Sequence, residues 1–417
     1  MLDINYIRDN TDLIKQACLD KQLDAKVVDL LLKADEARRS QQLVVDNLRQ
    51  QSNTLVDQIK TQVAQGQKPQ ADQIAQGKQI KDQLKIEEPK LTQIQTNYQK
   101  LMLEMPNPPA QGVPVGKDES GNQVIKTVGE PTKFDFTPQA HQTLMENLGW
   151  LDVKRAVKIG GFRSYFLKGD GLLLEQALLK YGLKLLIKAG FTPMSVPVLV
   201  GEPALEGTGF FPWGKADHYQ TQDGQFLTGT AEVALTAYCT GETLSYKDLP
   251  IKMCGLSPCF RREVGTYGKD TQGIIRVHQF NKVEQVVYTI ADEAETKKWH
   301  GQMVELAESM LVDLGLPYQV VNMCTGDMGA GQRLKFDIET WFPAQNKYRE
   351  THSASYFNDF QARRLNIKYR DQDGTTKYVY TINNTMVATP RLLVACAENW
   401  QTKDGQIKIP GIIQELM

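Results

Sequence analysis

The sequence predicts an α+β chain in two parts. An antiparallel two-helix coiled-coil arm comes first, and a domain built on an antiparallel sheet flanked by helices follows. Three observations predict this. Residues 1–104 hold no Trp and two Gly, and their apolar side chains recur at steps near 3.5 residues. Residues 105–109 carry three prolines, which stop a helix and force an extended linker. Beyond them strand-like alternation and helix-like spacing follow one another, with strand pairs close enough for hairpins.

In the arm, Leu31, Ala34, Val45, Leu48, Leu55 and Ile59 mark the first seam, broken by Arg38, Gln41 and Ser52. Ile80, Leu84, Leu91, Ile94, Tyr98 and Leu101 mark the second, with Glu87 the misfit. Gln65-Gly66-Gln67-Lys68-Pro69 separates them, a break that glycine and proline explain. Each helix of about 38 residues reaches on the order of 57 Å. So narrow a seam buries little, which predicts a projecting arm. Lys and Arg number 15 over residues 1–104 and Asp and Glu also 15, so the arm is neutral. On charge alone it fits a spacer or dimerisation hairpin as well as a binding element.

The chain has 417 residues, enough for two or three domains that each bury a core. Its formal net charge is −1, so contact with nucleic acid must come from local patches. Six cysteines lie scattered at 18, 239, 254, 259, 324 and 396 without a CxxC pair, which predicts reduced thiols in a cytoplasmic protein. The first twenty residues carry charges throughout, unlike a signal peptide, and no apolar run approaches the roughly 20 residues that span a membrane. Residues 172–189 read as an amphipathic helix with Leu at helical spacing, and residues 190–197 as the strand it turns into. No G-x-x-x-x-G-K-[ST] pattern occurs, so a nucleotide would not be held by a P-loop.

Residues 259–287 carry the most chemistry. They read as a strand leading in from Cys259 to Glu263, a polar loop from Gly265 to Gly273, and a strand leading out from Ile274 to Val287. Three glycines and no proline predict a mobile loop. Arg261 and Glu263 are two apart and share a strand face, as do Arg276, His278 and Phe280, and Lys282 and Glu284. A cation, a carboxylate and an aromatic ring on one face form a floor for a nucleotide.

The order Phe-Arg-Arg-Glu, loop, Arg276-Val-His278-Gln-Phe280 resembles motif 2 of class II aminoacyl-tRNA synthetases, and within them of the seryl-tRNA synthetase family. The likeness covers nearly the whole chain. The opening Met-Leu-Asp-Ile-Asn-Tyr-Ile-Arg-Asp-Asn, the Thr230-Ala-Glu232 segment, Cys324-Thr-Gly-Asp-Met-Gly, Trp341 through Glu350 and Asp359-Phe-Gln-Ala-Arg-Arg364 are all similar to that family. The helix and strand of residues 172–197 resemble motif 1, which implies a homodimer.

The resemblance implies ATP and L-serine as substrates, Mg²⁺ as the metal and serine tRNA as the partner, its long variable arm gripped by the coiled coil. It leaves open whether a selenocysteine tRNA is charged as well. Arg261 would bridge the serine carboxylate and the α-phosphate, and Arg391, the motif 3 arginine, would cover adenine and the γ-phosphate. Glu263 would bind the adenine amino group and Phe280 would stack on the ring, with Arg262, Val277, Thr351 and His352 completing the ATP site. Glu350 and Ser353 would offer oxygen ligands to the metal. Thr230, Ala231 and Glu232 would bind the serine ammonium. Glu284, Asn383 and Thr385 would receive the rest of serine, Glu284 and Thr385 its hydroxyl. No editing domain is visible.

Two segments depart from the family pattern. Glu350-Thr-His352-Ser353 stands where many members have Glu-Ile-Ser-Ser, and His352 is expected to point away from the metal. Residues 383–391 read Asn-Asn-Thr-Met-Val-Ala-Thr-Pro-Arg where many bacterial members have N-G-S-G-L-A-V-G-R, so Met386 and Pro390 replace glycines. Two rivals remain. A ligase charging a carrier protein would typically lack the long arm, and a paralogue with a dead site would lack Arg261, Glu263, Glu284 or Arg391. This chain has them all.

Overall fold

The computed structural model describes every residue except Thr266, Tyr267, Lys269 and Thr271. The mobility expected of residues 265–273 falls in part on these four, and that part lies outside the described residues. The chain divides into two compact units. One comprises Asp3–Leu19 and Leu23–Met105; the other comprises Met1–Leu2, Asp20–Gln22 and Pro106–Met417. Among the described residues no helix is long and apolar enough to cross a membrane.

The first unit is helical: α1 (Ile4–Asp9), α2 (Thr11–Asp20), and the two long helices α3 (Lys26–Ala64) and α4 (Ala71–Leu103). The long helices contain 39 and 33 residues, so they run about 58 Å and about 50 Å. Their seam is the one the spacing marks. Leu31, Ala34, Val45 and Leu55 are buried on α3, and Ile80, Leu91, Tyr98 and Leu101 on α4. The misfits find partners. Gln41 Nε2 donates to Glu87 Oε2 at 2.7 Å, so two polar interruptions meet across the seam. Arg38 lies over the Tyr98 ring, 4.8 Å from its centroid. Pro89 lies inside α4, and the helix runs through it. Proline costs a helix one backbone bond, so Pro69 breaks the chain because Gly66 and the polar turn join it.

In the second unit eight strands form the main sheet. They are β1 (Gln123–Val128), β2 (Thr192–Met194), β3 (Ile251–Phe260), β4 (Gln279–Thr289), β5 (Tyr318–Asn322), β6 (Leu334–Phe342), β7 (Lys347–Asn358) and β8 (Tyr380–Ala388). The order is β1-β5-β6-β7-β8-β4-β3-β2. Every pair is antiparallel except β2 on β3. Its helices include α5 (Asp170–Lys188), α6 (Glu232–Thr236), α7 (Glu293–Asp313) and α8 (Arg391–Asn399).

The two faces of the central strands differ. On one, Asn384 Nδ2 and Gln285 Nε2 donate to the Met303 carbonyl of α7, at 2.7 and 3.3 Å. Val283, Val287, Ile382 and Met386 join the same core. Helix α5 packs there too, and a Cβ on its Gly182 would collide with the Val387 side chain, so the close approach requires glycine. The alternate residues Phe280, Lys282, Glu284, Asn383 and Thr385 turn to the other face and line a cavity.

One reading needs correction. The strands flanking the loop are shorter than the alternation suggests: β3 ends at Phe260 and β4 begins at Gln279. Arg261, Glu263, Arg276 and His278 therefore lie on irregular backbone. Glu263 adopts φ 55°, which breaks a two-residue repeat.

A buried carboxylate ties the base of the arm. Asp35 has a side chain 1% exposed, and it receives Arg8 Nε at 2.9 Å, Arg38 at 3.0 Å and Arg39 at 3.1 Å. Burial pushes its carboxyl up, and hydrogen bonds from Arg8 and Arg38 more than reverse that. Replacing Asp35 with Ala should destabilise the helical unit by about 1–3 kcal/mol, since charge-assisted bonds are lost from partly exposed arginines. Urea unfolding followed by circular dichroism at 222 nm measures it; an unchanged midpoint would refute the role.

Candidate active site

The cavity has a volume of about 310 Å³ and its walls come from the ends of β3, β4, β7 and β8, from the Thr230 segment and from the start of α8. It gathers Thr230, Glu232, Arg261, Glu263, Val277, Phe280, Glu284, Glu350, Thr351, Ser353, Asn383, Thr385 and Arg391. Ala231, Arg262 and His352 do not line it. Ala231 packs in an apolar cluster with Leu235 and Met253. Arg262 extends outward, where its guanidinium donates to the Ala216 carbonyl at 2.9 Å.

Two β-bulges shape this wall. Opposite β6, Ile338 pairs with His352 and Glu339 with Glu350, so Thr351 is the extra residue of β7. Opposite β4, Glu284 pairs with Thr385 and Val283 with Val387, so Met386 is the extra residue of β8. Residues three apart on a regular strand face opposite ways. A bulge resets the alternation, and Glu350 and Ser353 both reach the cavity, as do Thr385 and Ala388.

One end of the cavity is a buried polar cluster. Lys282 Nζ donates to Thr230 Oγ1 at 3.0 Å and pairs with the Glu284 carboxylate; Thr230 in turn donates to Glu284 Oε2 at 3.1 Å. Glu232 accepts from Gln361 Nε2 at 3.0 Å. Burial and the nearby Glu284 charge push the Glu232 carboxyl up to about 7, against the pull of Lys282, Gln361 and Arg261.

The other end is a cationic rim. Arg391 meets Glu350 Oε2 at 2.9 Å, and Arg276 meets Glu263 Oε2 at 2.6 Å. Asp270 lies 3.6 Å from Arg276 and 2.6 Å from Arg349. Burial pushes the Glu350 carboxyl up, but Arg391, Lys335 and Arg261 outweigh it and hold it at about 2. Lys335 Nζ sits 2.9 Å from Asp337, whose own carboxyl burial raises to about 7. Arg261 bridges the two ends, its guanidinium 5.3 Å from the Phe280 ring centroid. Lys335 and Gln332 line the cavity although neither was singled out from the sequence. Lys335 carried a readable signal, standing two before Asp337 on an alternating strand.

The return of the loop is anchored. Gly273 has φ 69° and a Cβ there would collide with the His141 ring, so glycine is required. His141 Nε2 accepts from Ile274 N at 3.2 Å while its Nδ1 meets Glu398 of α8 at 3.0 Å. His278 Nδ1 meets the Arg261 carbonyl at 2.9 Å and its ring faces a neighbouring cavity, apart from Arg276. The two departures from the family pattern touch one another. The buried His352 ring donates from Nε2 to the Met386 carbonyl at 3.1 Å, and its Nδ1 lies 2.9 Å from Thr351 Oγ1. Pro390 directly precedes α8, which begins at Arg391.

This sheet, with its cavity between an arginine-bearing strand end and the N-terminus of α8, defines a class II aminoacyl-tRNA synthetase core. Residues 218–400 match the tRNA synthetase class II core domain (G, H, P, S and T), and residues 1–109 match the seryl-tRNA synthetase N-terminal domain. The chain belongs to the seryl-tRNA synthetase family. It is 42% identical to a serine–tRNA ligase of Deinococcus radiodurans, over 99% of this chain and 97% of the relative. It is 38% identical to that of Methanocella arvoryzae, over 100% and 99%. Among solved structures, seryl-tRNA synthetase from Pyrococcus horikoshii complexed with ATP superposes with a TM-score of 0.91 at 37% identity, covering 100% of this chain and 98% of that one. The cytoplasmic serine–tRNA ligase of Naegleria fowleri with AMP gives 0.86 at 30%, covering 100% and 97%.

Burial holds His352 neutral down to about 4, and His300, buried against the Ala354 carbonyl, likewise to about 4. Unfolded histidine titrates near 6.5. Between those values the unfolded chain binds protons that the folded chain does not, so stability falls as pH drops through this window. Each histidine contributes up to about 1.4 kcal/mol per pH unit. His352→Gln, which keeps a donor for the Met386 carbonyl, should flatten the decline between pH 6.5 and 4. Denaturant titrations across that range test it; an unaltered slope would show that His352 is not buried neutral.

Proposed function

We propose that this chain activates L-serine with ATP and transfers serine to serine tRNA. The observation that carries the reading is Arg261, which stands between the buried Thr230–Lys282–Glu284 cluster and the cationic rim. Serine would lie in the cluster, its ammonium toward Thr230 and Glu232 and its hydroxyl toward Glu284 and Thr385, which face each other across β4 and β8. A site built to hydrogen-bond a hydroxyl rejects alanine by roughly 10⁴–10⁵. Adenine would rest on Phe280 with Glu263 at its amino group. The triphosphate would face Arg276, Arg349 and Arg391.

The chemistry is in-line displacement. A serine carboxylate oxygen attacks the α-phosphorus, the bond to the β-phosphate oxygen breaks, and pyrophosphate leaves with its electron pair. Arg261 would orient the carboxylate and offset charge growing on the α-phosphate. Arg391 at the first turn of α8 adds its charge to that helix's positive end. Glu350 and Ser353 would hold Mg²⁺; their oxygens share one wall and suit a hard cation. When bound, the ion would neutralise phosphate charge.

Residues 1–104 would be the arm that grips the variable region of the tRNA, and residues 105–417 the adenylate-forming domain. The enzyme would act as a cytoplasmic homodimer joined through the motif 1 elements, where Leu172, Leu173 and Ile187 are exposed on α5.

Serine-dependent ATP–pyrophosphate exchange, compared with glycine, alanine, threonine and cysteine, tests the activation step. Arg261→Ala should lower exchange by about 10²–10³; wild-type exchange in that variant would remove Arg261 from the reaction. A chain in which a short linker replaces residues 26–103, so that Met1–Leu2 and Asp20–Gln22 stay with the second unit, should retain exchange and lose most aminoacylation, with a shallower salt dependence of tRNA binding. Full aminoacylation without the arm would show that the arm is a spacer.

A further inference from the structure

Lys282 is a buried cation inside the pocket proposed for serine, and no step above uses it. Its side chain is 8% exposed, its ammonium donates to Thr230 Oγ1 at 3.0 Å, and it pairs with Glu284. The charged and titratable groups around it come from four elements. Glu284 shares β4, Glu232 begins α6, Cys259 and Arg261 stand at the end of β3, and His352 and Glu350 lie on β7.

Serine arrives as a zwitterion. Its carboxylate has Arg261 for a partner, which leaves its ammonium to face two buried carboxylates, Glu232 and Glu284. One ammonium cannot neutralise two carboxylates, and a buried unpaired charge is expelled by taking up a proton. We infer that Lys282 is a positioning residue for serine selection: it supplies the second positive charge, pairs with the Glu284 carboxylate and, through Thr230, holds it toward the substrate hydroxyl. With it, two carboxylates meet two ammonium groups and the closed pocket is neutral. The proton balance supports the geometry, because Lys282 is the first of the groups that hold the Glu232 carboxyl down.

The inference rests on the proposed function, and the experiment separates the two. Exchange is measured with the full chain against serine, ATP and pH for wild type, Lys282→Met, Lys282→Gln and Lys282→Arg. The Met and Gln variants should raise the KM for serine at least tenfold while the KM for ATP stays within about twofold. The acid limb of kcat/KM for serine should move to higher pH, since Glu232 loses the first of the groups that hold its carboxyl down. Lys282→Arg should recover much of both. Gln preserves a donor to Thr230, so it keeps the test informative if Met fails to fold. Unchanged serine KM and pH profile in either neutral variant would overturn the inference, as would an equal rise for serine and ATP. Absence of serine-dependent exchange in the wild-type chain would overturn the proposed function and this inference with it.

Discussion

The site depends on two adjacent strands losing step with their own alternation. A regular strand offers every second residue to a face, and β7 and β8 must offer more than that. The bulges at Thr351 and Met386 provide it, side by side in the sheet. Each extra residue has its own support. Thr351 Oγ1 lies 2.7 Å from Thr340 Oγ1, and the carbonyl of Met386 is capped by His352. The two positions where this chain departs from the common family pattern are thus one structural unit. Met386 fills core space under α5, and a histidine satisfies the backbone oxygen that the bulge would leave unpaired.

With the wall set, the electrostatics sort themselves by depth. At the buried end the charges come in near-balance, and ionisation there is governed by desolvation, as the high Glu232 carboxyl shows. Of the rim residues that line the cavity, Arg276, Lys335 and Arg391 outnumber Glu263 and Glu350, and Glu350 stays ionised against its burial because Arg391, Lys335 and Arg261 outweigh it. A zwitterionic amino acid suits the first environment and a polyanion the second. Arg261 belongs to both, which is why the reacting groups would meet there.

The architecture was legible because its signals are strong. A seam at steps of 3.5 over two long helices has few rival readings, and its interruptions were visible too, although that Gln41 and Glu87 would meet was not. The cavity residues Phe280, Lys282 and Glu284 follow plain alternation on β4. What failed was the extension of that alternation past the strand ends: Glu263 takes a left-handed backbone, and His278 turns away from Arg276 to bond the Arg261 carbonyl. A bulge leaves no compositional mark, so the sharing of one wall by Glu350 and Ser353 could come only from the resemblance. Lys335 was missed although it stands two before Asp337 on an alternating strand, because the same spacing also fits an ordinary salt bridge.

The Gln41–Glu87 contact has a consequence for the arm as a measuring device. Apolar seams are forgiving: a slip of one heptad, about 10 Å of helix, would set leucine against leucine again. The same slip would break the Gln41–Glu87 bond, setting the amide against aliphatic neighbours while Glu87 keeps only Lys90 of its own helix. The polar pair therefore admits one alignment of the two helices and penalises the others. The hairpin turn at Gly66 is held at a fixed number of turns from its base, so the length of the arm is written into its interior and does not depend on what it touches.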